Sequence, residues 1–311
     1  MPKSGDDFLQ RSRIVVLGLF ILLLTACNSS NQKPSDDQLL IYTSIYPIQF
    51  LVEKITGEHA VVTSIYPPGV DAHTYEPTSR EITQIAKGDA LIFLGAGMES
   101  FAENAADALQ NQGVLFVELG ENEDLFSKSD KQINHNHNDL DPHIWLDPLR
   151  MIKMGEQIKN ELITLTPENE NQYNENFAQL EQALTELDHT FEEILEAKEK
   201  KQIIVTHAAY GYWEERYGIE QIAISGISSS DEPSQKELTS IAQLAEEEQL
   251  EFVIFEQTGT NRLGTIIQEY IHAEKRTIHN LETLTEEDIK NDENYISLME
   301  KNLNVLDEAT K

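Results

Sequence analysis

The sequence predicts an α/β protein in which two four-stranded halves flank one long helix. Short apolar runs rich in β-branched and aromatic residues alternate with segments of helical periodicity, first over residues 39–165 and again over residues 202–306. Between them, residues 167–201 have the pattern of one continuous amphipathic helix. Because strands that alternate with helices form parallel sheets covered by those helices, we expect one such sheet in each half.

We predict four strands and four helices in the first half. The predicted strands are Leu39–Ile45, Ala60–Tyr66, Ala90–Leu94 and Val114–Leu119. The predicted helices are Ile48–Ile55, Ser79–Ala86, Glu99–Gln110 and Asp147–Leu165.

The central segment begins with a recognisable helix start. Pro167 suits the first helical position, Thr166 is a candidate N-cap, and Glu168 places an acid in the first turn. At ~1.5 Å per residue the segment would be roughly 50 Å long. Its apolar spacing covers only about two and a half heptads, which favours a helix lying across two lobes over a coiled-coil dimer seam. A monomer is therefore expected.

The second half repeats the alternation of the first. Its predicted strands are Gln202–Val205, Gln221–Ser225, Phe252–Phe255 and Thr277–Leu281. Its predicted helices are Ala208–Arg216, Pro233–Glu248, Asn261–Ala273 and Tyr295–Leu306.

The N-terminal segment resembles a bacterial lipoprotein signal. A basic start precedes the apolar run Ile14–Leu24, which is too short to cross a bilayer comfortably and ends at Leu24-Thr25-Ala26-Cys27. The resemblance implies cleavage before Cys27 and lipidation of its thiol. We therefore expect a signal peptide at 1–26, a flexible tether at 27–38, an N-terminal lobe at 39–166, a linking helix at 167–201 and a C-terminal lobe at 202–311. Cys27 is the only cysteine, so no intrachain disulfide is possible.

The charge of the chain excludes one class of partner. Its 311 residues include 55 acids and 23 Lys and Arg, for a formal net charge of -32. Such a chain repels phosphate backbones and lacks the basic stripe of a nucleic-acid-binding protein. The acids keep a surface protein soluble, and their field also enriches cations within the Debye length of about 8 Å.

Several candidate ligands follow predicted strands. His73 and His207 lie in loops after strands of the two halves, and Glu256 and Glu282 follow strands of the second half. Ligands of doubly wound sheets bind beyond the carboxyl ends of the strands. Imidazole is the usual nitrogen ligand of zinc and a carboxylate can complete a tetrahedral shell. A lone histidine at a strand end is more often a turn or capping residue, so the pattern alone leaves a metal site open.

Three motifs together resemble the zinc-type metal-binding solute receptors of bacterial ABC importers. These are the loop Gly69–Pro77, the string Asp141–Pro148, and His207 through Tyr217-Gly218. The resemblance covers nearly all of the chain after the tether. It implies two α/β lobes joined by a rigid helix, with Zn²⁺ in the cleft between them held by His73, His143 and His207. It also implies delivery of the metal to an ABC permease by a receptor anchored through Cys27 on the extracytoplasmic face of the membrane.

The resemblance also bears on the choice of metal and on the fourth ligand. The manganese branch has a carboxylate where this chain has His207, and imidazole suits zinc whereas carboxylates suit manganese. Zinc is therefore expected before manganese or iron. Glu282 fits best as the fourth ligand, with water or Glu256 as alternatives, and Glu256 could instead orient a histidine. Glu282 could also be only a helix N-terminal acid.

The remaining histidines and functions are less informative. His135 and His137 lie in a short loop that could hold an auxiliary metal or be only solvated. His59, His189 and His272 are expected to be ordinary. His279 could approach the site but is not among the expected ligands, and Trp145 and Trp213 are expected to pack in the core. A zinc hydrolase is a weaker alternative because no His-Glu-x-x-His helix or Gly-x-Ser-x-Gly elbow is present. An adhesin is another alternative, for which the sequence has no signal.

Overall fold

The computed structural model describes residues 38–109, 111–126, 140–228, 231–258 and 262–311. They contain two four-stranded sheets, and every strand pair in both is parallel. The first sheet has the order β2-β1-β3-β4 and the second has the order β6-β5-β7-β8. The strands are β1 (Leu39–Thr43), β2 (Ala60–Ser64), β3 (Ala90–Phe93), β4 (Leu115–Glu118), β5 (Gln202–Val205), β6 (Glu220–Ala223), β7 (Phe252–Glu256) and β8 (Glu274–Ile278). The predicted fold class is confirmed.

Helices connect and cover the strands. They are α1 (Tyr46–Thr56), α2 (Ser79–Ile85), α3 (Ser100–Leu109), α4 (Pro148–Leu165), α5 (Glu170–Glu196), α6 (Gly211–Tyr217), α7 (Gln235–Glu247), α8 (Arg262–Tyr270), α9 (Glu286–Lys290) and α10 (Tyr295–Ala309). Helix α9 was not predicted as an element. It is short, and the Thr285 side chain and Asp288 cap its start reciprocally.

The central helix is shorter than predicted. Residues Pro167–Asn169 form a 3-10 turn, and α5 itself spans Glu170–Glu196. Thr166 does not act as the expected N-cap, because its hydroxyl donates to the carbonyl of Leu162 and contacts the hydroxyl of Tyr173. The buried face of α5 packs on helices of both halves, namely α1 and α4 on one side and α6 and α10 on the other.

Strand β8 lies earlier in the chain than the prediction placed it. The structure has Glu274–Ile278 where we expected Thr277–Leu281. As an edge strand it is mostly exposed, so its sequence Glu-Lys-Arg-Thr-Ile lacks the apolar run that the prediction required. Leu281 has a φ of 64°, which ends any extended strand and starts the turn that carries Glu282.

One continuous hydrophobic core joins the two halves. The cluster includes Ile41 of β1, Leu184 of α5, Val205 of β5 and Leu303 of α10. Trp145 and Trp213 are both fully buried in it, as expected. A smaller second cluster lies between the second sheet and helices α7 and α8. The shared core fixes the carboxyl ends of both sheets with respect to each other.

No helix within the described parts of the chain is both long and apolar enough to cross a membrane.

Candidate metal centre

Four side chains from four loops meet where the carboxyl ends of the two sheets face each other. His73 lies in the loop between β2 and α2, and His143 directly precedes the 3-10 turn that leads into α4. His207 follows β5 by two residues, and Glu282 follows β8 by four. Strands β5 and β7 are the neighbours at which the strand order reverses, which is the usual ligand position in a doubly wound sheet.

The distances within this cluster match a zinc shell. One potential ligand atom from each of His73, His143, His207 and Glu282 lies within 4.8 Å of all the others. The Nε2 atoms of His73 and His143 are 3.2 Å apart, and Glu282 Oε1 lies 3.5 Å and 3.9 Å from them. Ligand atoms of a tetrahedral zinc with bonds of ~2.0–2.1 Å are about 3.3 Å apart. The Nε2 atoms of His73 and His143 and Oε1 of Glu282 are therefore close to the spacing of such a shell.

One carboxylate oxygen of Glu282 is available to bind a cation. Its Oε2 accepts a hydrogen bond from the backbone amide of Ala72, whereas Oε1 is buried and accepts none from any residue that the structure describes. Buried polar atoms without a partner are rare and call for an explanation. Burial would raise the pKa of Glu282, but the three nearby imidazoles outweigh it and hold this pKa below its usual value. An ionised oxygen thus points at the ring nitrogens.

His143 is held in the tautomer that a metal ligand needs. Its Nδ1 lies 2.7 Å from Oδ1 of Asp141, so it donates its proton there and leaves the lone pair on Nε2. The backbone amide of His143 donates to the same oxygen at 3.0 Å. The hydroxyl of Tyr212 donates to the Asp141 carbonyl and fixes this turn to α6. The side chain of His143 has no solvent exposure.

His207 has a different environment, in which both ring nitrogens face acceptors. Its Nδ1 lies 2.8 Å from Glu256 Oε1, and its Nε2 lies 2.7 Å from the carbonyl oxygen of Ile227. An acceptor thus faces each of the two ring nitrogens, an arrangement that favours the doubly protonated ring. Burial would lower the pKa of His207, but Glu256, Glu282 and the Ile227 carbonyl raise it to about 9.

The two candidate carboxylates occupy different positions. Glu282 belongs to the four-residue cluster, whereas Glu256 lies behind His207 and bonds its Nδ1. Glu256 Oε1 also accepts a hydrogen bond from the Tyr210 hydroxyl, and Oε2 accepts one from the Asn280 amide. This arrangement suits Glu282 as the ligand and Glu256 as the acid that orients a histidine.

The other histidines lie elsewhere. His189 and His272 are exposed, and His59 packs edge-on against Tyr173. His279 is buried but does not join the cluster, since its Nε2 donates to Asp288 and its Nδ1 accepts the Leu281 amide proton. His135, His137 and Cys27 lie outside the described residues.

A second group of potential ligands is already neutralised by an arginine. Asp188, His189 and Glu192 lie close enough together to hold a metal ion. Arg216 donates to both oxygens of Asp188 and pairs with Glu192, and the hydroxyl of Tyr217 also donates to Asp188. This group therefore forms an ion-pair network between α5 and α6.

The sequence analysis missed residues that support the candidate ligands. Asp71 and Asp141 each stand two residues before a cluster histidine, and each accepts the backbone amide of that histidine through Oδ1. The repeated Asp-x-His spacing at 71–73 and 141–143 was a visible signal for such turns. The role of Asn280 had no sequence signal, because its contacts come from distant segments.

The chain is similar to known proteins over most of its length. Residues 41–309 match the model of the ZnuA family, described as zinc-uptake complex component A, periplasmic. The chain is 31% identical to the zinc-binding lipoprotein AdcA of Streptococcus pneumoniae over 311 residues, which cover 97% of this chain and 61% of that protein. It therefore spans less than two thirds of that relative. It is 27% identical to the high-affinity zinc uptake system protein ZnuA of Bacillus subtilis, covering 97% of this chain and 98% of that one.

A solved structure shows the same architecture. The Zn(II)-bound ZnuA-like domain of Streptococcus pneumoniae AdcA superposes with a TM-score of 0.74 at 29% identity. The superposition covers 88% of this chain and 99% of that domain.

Proposed function

The chain belongs to the family of zinc-uptake complex component A, and on this premise we propose that it captures Zn²⁺ outside the cytoplasm and delivers it to an ABC permease for import. The observation that carries the proposal is the buried convergence of three imidazoles and one ionised carboxylate at distances close to those of a tetrahedral zinc shell. His73, His143, His207 and Glu282 are the proposed ligands.

The donor set favours zinc over other divalent cations. Three nitrogens and one oxygen suit zinc, whereas manganese prefers oxygen-rich octahedral shells. Side-chain exposures of 8%, 0%, 3% and 3% for His73, His143, His207 and Glu282 leave little room for the waters that complete such a shell. Import of manganese or iron remains the alternative, and it requires the cluster to open to additional oxygen ligands.

Binding replaces internal contacts with metal bonds. In the metal-free protein, the Nε2 proton of His207 is donated to the Ile227 carbonyl. Zinc must displace this proton and this contact, whereas Nε2 of His143 already carries a lone pair, which faces Nε2 of His73 at 3.2 Å. The ionised Glu282 supplies a negative charge toward the dication. His207 must therefore give up its contact with the Ile227 carbonyl when it binds the metal.

The segments outside the described residues complete the proposal. Residues 1–26 are a signal peptide, lipidation of Cys27 anchors the mature protein to the outer face of the cytoplasmic membrane, and residues 27–38 are a tether. The acidic monomer then delivers zinc to the permease. The lobes at 39–166 and 202–311 keep their mutual position because the helix between them shares their core.

We further propose that the site binds cargo and performs no catalysis. A catalytic zinc keeps one position open for water, whereas these four ligands close the shell. Turnover of ester or peptide substrates by the zinc-loaded protein would support the hydrolase alternative instead. Adhesion to host matrix proteins can be tested by a pull-down with and without chelator.

The main test is metal competition on the purified protein and on His207→Glu. We expect the wild type to hold one zinc and to exclude manganese, and the variant to lose that preference because it gains an oxygen ligand. His189→Gln is the matched control, since it removes a histidine whose side chain is 72% exposed. A wild type that binds manganese in preference to zinc, or a control that behaves like the variant, would contradict the proposal.

A further inference from the structure

Asn280 touches two acids of the metal centre at once. Its Nδ2 lies 3.3 Å from Oε2 of Glu256, and its Oδ1 lies 3.2 Å from the backbone nitrogen of Glu282. Its own carbonyl accepts the indole proton of Trp145 at 2.8 Å. The side chain is 5% exposed, so these contacts are shielded from water.

The orientation of the Asn280 amide is fixed by these partners. The Glu282 amide can only donate, so it requires the oxygen of Asn280, and the NH₂ group then faces Oε2 of Glu256. Turning the side chain over would set the NH₂ group against an N–H and the oxygen against a carboxylate. The observed orientation is therefore the one that satisfies both neighbours, and a carboxylate or an apolar side chain at this position cannot do so.

The two contacts act on different ligands. Through Glu256, Asn280 reaches His207, whose Nδ1 donates to that carboxylate. Through the amide of Glu282, it fixes the turn from which the Glu282 carboxylate extends. Trp145, two residues after His143, connects the same residue to the third ligand loop.

The loops held by Asn280 belong to different parts of the fold. Glu256 ends β7, Trp145 lies in the turn before α4, and Asn280 itself follows β8. The Glu282 carbonyl accepts a hydrogen bond from the amide of Tyr46, at the start of α1. A substitution of Asn280 should therefore shift loops on both sides of the metal centre.

We propose that Asn280 is a positioning residue of the metal centre, which aligns the Glu282 carboxylate with the His207 imidazole by holding Glu256 and the 280–282 turn together. The inference rests on the proposed zinc function and deepens it. Loss of a residue that orients a metal ligand commonly lowers the metal affinity by about 10- to 100-fold, and we expect a loss in this range when Asn280 is replaced.

A matched pair of asparagines separates positioning from general support. Asn302 of α10 is also buried, at 1% exposure, and its side chain bonds both the amide and the carbonyl of His279. It supports the same segment one residue earlier, through hydrogen bonds to the backbone of His279. The test compares Asn280→Leu, Asn280→Asp and Asn302→Leu with the wild type.

Three measurements are made on each purified protein. They are the zinc affinity by chelator competition, the visible spectrum of the cobalt(II)-loaded protein, which reports the coordination geometry, and the melting temperature without metal. We expect both Asn280 variants to lose about 10- to 100-fold in zinc affinity and to show altered cobalt spectra. Asn302→Leu should lower the melting temperature but keep the affinity and spectrum of the wild type.

Each other outcome overturns the inference. If the Asn280 variants keep wild-type affinity and spectra, or if Asn302→Leu loses affinity in the same proportion to its melting temperature, Asn280 has no positioning role. Should Asn280→Leu fail to fold, Asn280→Asp decides, because it keeps the shape and the acceptor for the Glu282 amide. A wild type that binds no zinc refutes the proposed function and, with it, this inference.

Discussion

The protonation of His207 leads to a pH dependence of zinc binding that can be calculated from the structure. Both ring nitrogens donate hydrogen bonds, and the pKa of His207 is raised to about 9. Zinc requires the lone pair of Nε2, so it must displace a proton at any pH below this value. Affinity should therefore rise as the pH rises from 7 toward 9.

The size of the effect follows from the distance between the pH and the pKa. At pH 7 the ring is two pH units below a pKa of about 9. Removing its proton then costs about 2.7 kcal/mol, or about a hundredfold in affinity. In the metal-free protein the sign is opposite. The raised pKa contributes about 3 kcal/mol of stability, present below pH ~6.5 and lost as the pH rises through about 9.

The assay is a zinc titration against a competing chelator at pH 7, 8 and 9, with calorimetry in buffers of different ionisation enthalpy to count released protons. We expect a tenfold rise in affinity per pH unit, about one proton from His207 and a plateau near pH 9. Glu256→Gln is the informative variant, since a neutral partner lowers the pKa of His207 and flattens the profile. An affinity that does not change between pH 7 and 9, with no proton release, would show that zinc displaces no proton from His207.

Three further predictions concern single residues. Glu282→Gln should strongly lower the zinc affinity but leave folding and the exclusion of manganese nearly unchanged, because the amide keeps the shape of the side chain and loses its charge. If the variant has the zinc affinity of the wild type in a competition titration, Glu282 is not a ligand. Glu99 is buried, which raises its pKa to about 7, and the protonated form is favoured in the folded state. Denaturant unfolding should therefore show stability falling by on the order of 3 kcal/mol as the pH rises from about 4.5 to about 7, and this slope should vanish in Glu99→Gln. Arg216→Gln leaves the carboxylate of Asp188 without its ion pair and should cost about 2–3 kcal/mol of stability, less than for a fully buried pair because Arg216 is partly exposed. Its zinc stoichiometry should match that of the wild type, and a lost zinc would assign a metal to the Asp188 group.

The sequence sufficed for the fold because its signals were local and repeated. The strands other than β8 contain apolar or β-branched residues that show in the sequence, and their alternation with helices predicts two parallel sheets. Strand β8 was displaced in the prediction because an edge strand needs little apolar content. The start of α5 was also misjudged, because the Thr166 hydroxyl finds acceptors within the fold that compete with capping.

The candidate site likewise has residues that local sequence motifs predict and contacts that they do not predict. His73, His143 and His207 stand in motifs that a sequence displays, and the structure brings them together with Glu282. The strand pattern alone does not separate Glu282 from Glu256, because both follow predicted strands and their roles depend on which way each loop turns. Only the family resemblance favoured Glu282. Leu281, at a φ of 64°, turns Glu282 toward the histidines, whereas Glu256 ends its strand behind His207. Asn280 connects segments more than a hundred residues apart, and such contacts have no local signature.

The most direct test of the central claim is the zinc K-edge X-ray absorption spectrum of the protein loaded with one equivalent of zinc. We expect a four-coordinate shell of three imidazole nitrogens and one carboxylate oxygen at ~2.0–2.1 Å, which is lost when Glu282 or any one of the three histidines is replaced. A six-coordinate shell of oxygens, or a shell with fewer than three imidazoles, would contradict it.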